Sequence, residues 1–314
     1  MVHLRNVGAL TVCAIIIASS AVSPSRGTPQ GGQGPIVTRN PAPSHEQLHS
    51  LILRAIENQH RDDRALEEFE RLEHVITRKS ENGEILTDIT ERVLPSGTGN
   101  IKLKTAEKGV PVPAEEYRQE LETALKALDP AVQSSDRYKE DLAKFEKRRH
   151  DHAELLDSAT KAFRLTWAGR ETRNDPAGIR TLVKLLLDPD PNYKPINRFA
   201  ASFQHIHAAL WVDEEHAQFA RLEADIATDI NFAGGIVGKV YHGGHIVMVQ
   251  EEVSPGVWLP TLYNYEVDGR KFIVAFGIHE RTEISHYRHV GPPAQVVEIL
   301  RSDLNKLAAD PSKR

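Results

Sequence analysis

The sequence predicts an α+β chain built on one broad antiparallel sheet. Three observations carry this. Strand-like runs follow one another through residues 162–288 with only short turns between them. Amphipathic helices precede, interrupt and follow the strands. Two Gly-containing turn pairs, Asn82-Gly83 and Asp268-Gly269, stand between alternating segments, as hairpins require.

The first helix opens at Ser44. Gln47 follows three residues on, a capping-box pattern, and Leu48, Leu51, Ile52, Ala55 and Ile56 recur at helical spacing, so one face is buried. Residues 66–94 are ambiguous: Leu66, Phe69 and Leu72 are spaced for a helix, whereas EHVITRKSENGEILTDITERVL beyond them reads better as a hairpin. A type I′ turn at Asn82-Gly83 would set Ile76 opposite Ile89 and Glu73 opposite Arg92. A short strand, NIKLKTAEKG, follows and turns at Lys108-Gly109. From Ala114 to Lys161 the composition becomes charged, with Tyr117, Leu121, Leu125, Leu128, Leu142, Phe145, Leu155 and Leu156 spaced for two amphipathic helices broken at Asp129-Pro130. The basic run KFEKRRHD within it reads as a solvated helix face.

Eight strands are expected next: AFRLTWAGRE, IRTLVKLLLD, ASFQHIHAALWV, AQFARLEADIA, HIVMVQEEV, LPTLYNYEV, KFIVAFGI and RTEISHYR. A turn at Asp268-Gly269 would pair Glu266 with Lys271, Tyr265 with Phe272 and Tyr263 with Val274. A final helix, Ala294 to Leu307, follows Pro292-Pro293.

The ends bound the compartment. Arg5, the apolar run Val7 to Ala18 and the small residues Ala18 to Ala21 form a secretory signal pattern, with cleavage expected near Ala21. That run is too short for a membrane span, which needs about 20 residues. Residues 22–43 are rich in Gly, Pro and small polar residues and read as a flexible linker. Residues 44–308 read as a single domain with the charged insert 114–161, and 309–314 as a tail. Cys13 is the only cysteine and lies in the signal, so the exported chain has no thiolate chemistry and no disulfide. The chain holds 39 basic and 44 acidic residues, a formal charge of −5, which does not form the basic footprint of a nucleic-acid binder.

Motifs with chemistry attached are scarce. GGIVGKV resembles a phosphate loop but has three residues between Gly234 and Gly238 instead of four, and Val240 where Ser or Thr should hold magnesium. Its glycines are expected to serve a tight bend or a close backbone approach. Histidines are frequent, with local pairs His205/His207, His242/His245 and His286/His289. Of these, His205, His207, His242 and His245 are weak metal candidates, since no third ligand is marked by spacing. Adjacent acids such as Glu251-Glu252 point to opposite faces of a strand. No G-x-S-x-G elbow occurs, and nothing calls for a cofactor. The aromatics instead fall in or beside strands. They point to an apolar sheet wall of Phe203, Leu210, Trp211, Tyr263, Tyr265, Phe272, Val274 and Phe276.

The C-terminal third carries a resemblance. Trp211-Val212-Asp213, the glycine-rich FAGGIVGKVYHGGHIVMVQEEV, Pro255 to Pro260 (PGVWLP) and Ser285 to Arg288 (SHYR) resemble segments of exported proteins of the lipoprotein-carrier (LolA/LolB-like) superfamily. The N-terminal half fits as an order of elements. The resemblance implies a curved antiparallel sheet, an unclosed half-barrel, with helices packed on its concave side. It also implies periplasmic, non-catalytic binding of a lipid or lipoprotein acyl chain. Two other readings remain open: an envelope interaction or sensor module on the same sheet, and a metal-dependent enzyme using the His pairs.

Overall fold

In the computed structural model, residues 42–175, 178–232 and 234–309 are described. The expected signal segment, most of the linker and all of the tail except Ala309 lie outside them. The elements run α1 (His45–Ala65), β1 (Phe69–Arg78), β2 (Ile85–Pro95), β3 (Asn100–Glu107), β4 (Val110–Pro111), α2 (Ala114–Ala127), α3 (Pro130–Gln133), α4 (Asp136–Ala162), β5 (Phe163–Asp175) and β6 (Gly178–Pro189). They continue with β7 (Ile206–Asp213), β8 (Gln218–Ile226), β9 (Ile230–Phe232), β10 (Gly238–Val240), β11 (His245–Ser254), β12 (Val257–Lys271), β13 (Val274–His289) and α5 (Pro293–Ala309).

All thirteen strands belong to one antiparallel sheet, ordered β4-β3-β2-β1-β13-β12-β11-β8-β7-β6-β5, with β9 and β10 beside β12. The path does not close, so the expectation of an open α+β sheet holds. Inside it the first and last strands of the described residues meet: β1 pairs β13 from Phe69↔His289 to Arg78↔His279.

Ser44 caps α1 as the sequence requires. Its hydroxyl accepts from the Gln47 amide, and its own N–H donates to the Gln47 side chain. All five aliphatic residues of the predicted stripe are buried. They pack on Val183, Leu185, Leu210 and Val212 of the sheet. The helices divide between two faces. α1 lies on that face, whereas α2 and α5 bury Leu121, Leu128, Val296 and Leu300 against Leu94 and Leu103 on the other. α2 is thus part of a core. Along α4 the charged residues of the predicted solvated run face water while Phe145 within it is buried, with Lys147 paired to Asp151 at 2.7 Å and Arg149 reaching Glu67 at 3.4 Å.

Both predicted hairpin registers are corrected. Val75, not Ile76, stands opposite Ile89, and Leu72, not Glu73, opposite Arg92. The first turn is a wider loop: the Lys79 N–H donates to Glu84 O and the Gly83 N–H to Ser80 O, each at 2.9 Å, and neither Asn82 nor Gly83 takes the positive φ of a type I′ turn. The one-residue slip separates Glu73 and Arg92 onto opposite faces. Each finds its own partners there: Arg71 and Lys102 for Glu73, Glu70 and Asp303 for Arg92. The third strand does turn at Lys108-Gly109, and both residues have positive φ.

The second correction is larger. β12 runs straight through Asp268-Gly269 and turns at Phe272-Ile273, pairing Lys271 with Val274, Tyr265 with Glu280 and Tyr263 with Thr282. The two last predicted strands are therefore one strand, β13. Gly269 serves closeness instead of a bend: a Cβ there would lie 2.4 Å from the Lys239 carbonyl oxygen and 2.7 Å from Phe276 Cζ. β10, unseen in the sequence, takes that space, pairing Val240 with Gly269. ASFQHIHAALWV also begins with a short 3-10 turn, Ala200–His205, and becomes a strand only at Ile206.

Replacing Gly269 with Ala should lower stability by about 2 kcal/mol or more, the range for overpacking at a backbone contact. Urea unfolding followed by far-UV circular dichroism measures it. Gly269 lies outside the positive-φ region, so the loss reports the close backbone approach and not left-handed strain.

Candidate functional site

The register of the sheet fixes which side chains share the α1 face. From β6 to β8 these are Val183, Leu185, Leu210, Val212 and Phe219, directly beneath the helix. The same face continues through Ile246, Tyr263, Tyr265, Val267, Phe276 and Ile284, with Met248 packed against them. An apolar surface thus crosses six strands, β6, β7, β8, β11, β12 and β13. Tyr263 and Tyr265 stack with ring centroids 5.9 Å apart and planes at 12°. Burial pushes the Tyr263 phenol well above its ordinary pKa, with Tyr265 and Tyr287 adding to the effect. The Tyr287 hydroxyl donates to the Pro260 carbonyl at 2.6 Å.

Beyond β13 this face turns ionic. Arg71 meets Glu73 at 2.8 Å, and Lys102 bridges Glu73 at 2.6 Å and Glu91 at 3.0 Å. Burial would raise the Glu73 carboxyl, but Arg71 and Lys102 hold it below the usual range. Burial raises the Glu280 carboxyl, against the hydrogen bond from Thr282 and the nearby Lys102 charge. Two cations face three acids, so the cations are fully matched and no free positive charge is left to hold an anionic group.

A second polar group sits where the end of α1 meets the sheet. Asp62 falls seven residues after Ala55, on the helix's apolar stripe, and is 1% exposed. It accepts from the Trp258 backbone N–H and the Gln218 side chain, while its Oδ2 atom has no hydrogen-bond partner among the described residues. Beside it the Gln250 amide donates to Gln59 Oε1 at 2.9 Å. Desolvation raises Asp62 to a pKa of about 6, opposed by Arg61.

On the opposite face Trp258 is fully buried beneath Arg180 and Arg173, whose guanidinium carbons lie 5.3 and 5.9 Å from its ring centroid. Arg180 pairs with Glu252 and Arg173 with Asp175.

The predicted wall residues are not one wall. Leu210, Tyr263, Tyr265 and Phe276 share the α1 face. Trp211 is on the opposite face, where its indole N–H donates to Glu171 at 2.8 Å and Lys184 lies 4.3 Å above the ring. Phe203 belongs to a separate cluster with Leu155, Tyr193 and Phe163. Phe272 and Val274 are 54% and 68% exposed at the tip of the β12–β13 hairpin, because the turn lies there and not at Gly269.

The four candidate histidines sit at one rim of the sheet, each bonded to its own partner. His205 bonds Thr228 at 2.8 Å, His207 Asp188 at 2.7 Å, His242 Asp229 at 2.8 Å and His245 Asp225 at 2.7 Å. Among the described residues no group of three or more His, Cys, Asp or Glu is gathered to hold a metal ion. His279 was not singled out in the sequence. It is 5% exposed, with one ring nitrogen 2.6 Å from Glu266 and the other 3.2 Å from Asp268. The Arg71-x-Glu73 spacing, which places both residues on one strand face, and the heptad from Ala55 to Asp62 were legible signals of the two buried polar groups.

Asp62 makes a signed prediction. Its folded pKa lies above the unfolded value, so the folded state holds the extra proton between pH 4 and 6 and stability falls as pH rises through that window. Above it the buried charge is a standing cost. Asp62→Asn should raise stability by about 2 kcal/mol at pH 8, with the gain shrinking toward pH 4. Urea midpoints at pH 4, 6 and 8 measure it, and a gain independent of pH would rule the account out.

No family model matches the chain, and no curated protein matches it. Among solved structures it is similar to a chain described as an outer membrane lipoprotein-sorting protein domain from Vibrio parahaemolyticus, at 7% identity and a TM-score of 0.26, over 80% of this chain and 99% of that one. It is similar also to a DUF1329 family protein from Desulfovibrio piger ATCC 29098, at 11% identity and a TM-score of 0.28, over 76% of this chain and 92% of that one.

Proposed function

We propose that the chain is an exported, periplasmic, non-catalytic carrier that binds the acyl chain of a lipid or lipoprotein on the sheet face beneath α1. The observation that supports this most is the continuous apolar face from β6 to β13, covered along β6–β8 by the stripe of one amphipathic helix. No transmembrane helix competes with this reading: among the described residues no helix is long and apolar enough to cross a membrane.

The face is packed, so the ligand exchanges with the helix instead of filling a void. Two open surface hollows of about 540 and 530 Å³ lie at the end of α5 and between α4 and the Asp190–Ile196 segment, away from the aromatic face. The exchange is close to balanced. Leu48, Leu51, Ile52 and Ile56 contribute roughly 2 kcal/mol each, about 8 kcal/mol together, and fourteen methylenes contribute about 11 kcal/mol on the same scale. A long acyl chain can thus displace α1 and be released when α1 returns. Arg71 and Lys102 are matched by Glu73, Glu91 and Glu280, which leaves the aliphatic part as the recognised chemistry.

Native mass spectrometry of the mature protein purified from its own envelope should show a co-purifying lipid mass. Delipidated protein should bind a fluorescent sixteen-carbon fatty acid, and Tyr263→Asp should weaken that binding at least about tenfold, since it places a charge on the apolar face. Because Tyr263 is a core residue, Met248→Asp, at a partly buried position on the same face, serves as the second variant. The reading fails if wild-type protein carries no lipid mass and the fatty acid does not bind.

A further inference from the structure

The β12–β13 hairpin does not stop where its neighbours do. The last pairing of β11 with β12 is at Glu266 and the last of β1 with β13 at His279. The hairpin goes on for six residues to its turn, about 20 Å at the rise of an antiparallel strand. Only the small β9–β10 pair flanks this projection.

Its end is apolar. Phe272, Ile273 and Val274 are 54%, 96% and 68% exposed, and Ile236 and Val237 on the neighbouring turn are 76% and 39% exposed. The two turns touch, with the Phe272 N–H donating to the Val237 carbonyl at 3.1 Å. Five large apolar side chains thus form one exposed patch, which single surface hydrophobics do not. Folding alone does not ask for them. Phe272 has a φ of 53°, a left-handed backbone that favours Gly or Asn in a two-residue hairpin turn and is unusual for an aromatic residue.

At the tip itself the charge has one sign; Asp268, nearer the body of the sheet, faces His279 at 3.2 Å. Residues 231–232, 234–239 and 270–278 hold Lys239, Arg270 and Lys271 and no acid, in a chain whose formal charge is −5. Lys239 is engaged by Asp229 at 2.6 Å. Arg270 ties the turn by donating to the Phe272 carbonyl at 2.7 Å, and Lys271 is exposed with no ion-pair partner among the described residues. Apolar side chains at a projecting tip, with cations at their base, match the two layers of an anionic bilayer surface: acyl boundary and headgroup.

We infer that this tip is a membrane-docking element. Phe272, Ile273, Val274 and Ile236 enter the headgroup–acyl boundary, and Arg270 and Lys271 meet anionic headgroups. The inference stands apart from acyl-chain carriage under α1, because it uses different residues at the far end of the sheet.

Vesicle flotation of the mature chain tests it, with vesicles of phosphatidylcholine alone and of phosphatidylcholine with phosphatidylglycerol at three to one. Wild-type protein should float with the anionic vesicles and less with the neutral ones. Ile273→Asp should reduce flotation at least about tenfold, the effect of losing one buried aliphatic side chain. Phe272→Gly removes an apolar anchor while suiting the left-handed backbone, so it should lose flotation and keep the wild-type urea midpoint. The inference is overturned if wild-type protein floats with neither vesicle, or if both variants float as well as wild type. It is overturned also if the tip instead drives a concentration-dependent dimer in sedimentation that Ile273→Asp abolishes while no protein floats. Fatty-acid binding by the same variants should stay at the wild-type level, which separates failure of docking from failure of carriage.

Discussion

The pairing of β1 with β13 is the contact on which the rest of the molecule depends. It hydrogen-bonds residues 69–78 to residues 279–289, so the first and last strands of the described residues lie inside the sheet. Without it the sheet divides into a β1–β4 meander and a β5–β13 sheet, each with a long unpaired edge. Strand pairing at a separation of some 200 residues carries a loop-closure cost that local hairpins do not, which places this step late in folding. The joint also decides the chemistry of the α1 face: it sets the ionic residues Arg71 and Glu73 against the apolar half that ends at Ile284.

That face has two regimes. From β6 to β13 it is aliphatic and aromatic, and along β6–β8 it is covered by a helix with a matching stripe. From β1 to β3 it is ionic and satisfied by its own pairs. Burial without a partner would make each of those charges costly, so Arg71, Lys102 and Glu73 have to occur as a set. The same reasoning explains Trp258 on the other face, where two arginines seal the indole and each is paired with an acid in turn. The carriage reading needs only the apolar regime. The docking reading needs only the hairpin that outruns its neighbours.

Much of the architecture was legible in local patterns. Ser44 and Gln47 announced the start of α1, the 3.6-residue recurrence announced its buried side, and Asp129-Pro130 marked the break between the charged helices. The hairpin registers were not legible, because a turn signal has two physical meanings. Asn82-Gly83 and Asp268-Gly269 both satisfy the preference for a tight turn. In one case the chain uses a wider loop, and in the other the glycine admits the backbone of β10. A two-residue pattern cannot distinguish a bend from a close approach when the approaching strand is some thirty residues away in sequence.

The candidate wall followed the same division. That Leu210, Tyr263, Tyr265 and Phe276 are buried was written in their alternation. That Trp211 cannot share a face with Leu210 follows from alternation along one strand. That residues of different strands share a face follows from strand order and bulges, since one inserted residue exchanges the two faces for all that follows. Class, helices and the apolar content of the strands were written in local pattern, because side-chain period and caps act within a few residues. Which apolar residues meet, where the β12–β13 hairpin turns and which of its side chains are left in water came from the fold, because each depends on which distant strand lies alongside.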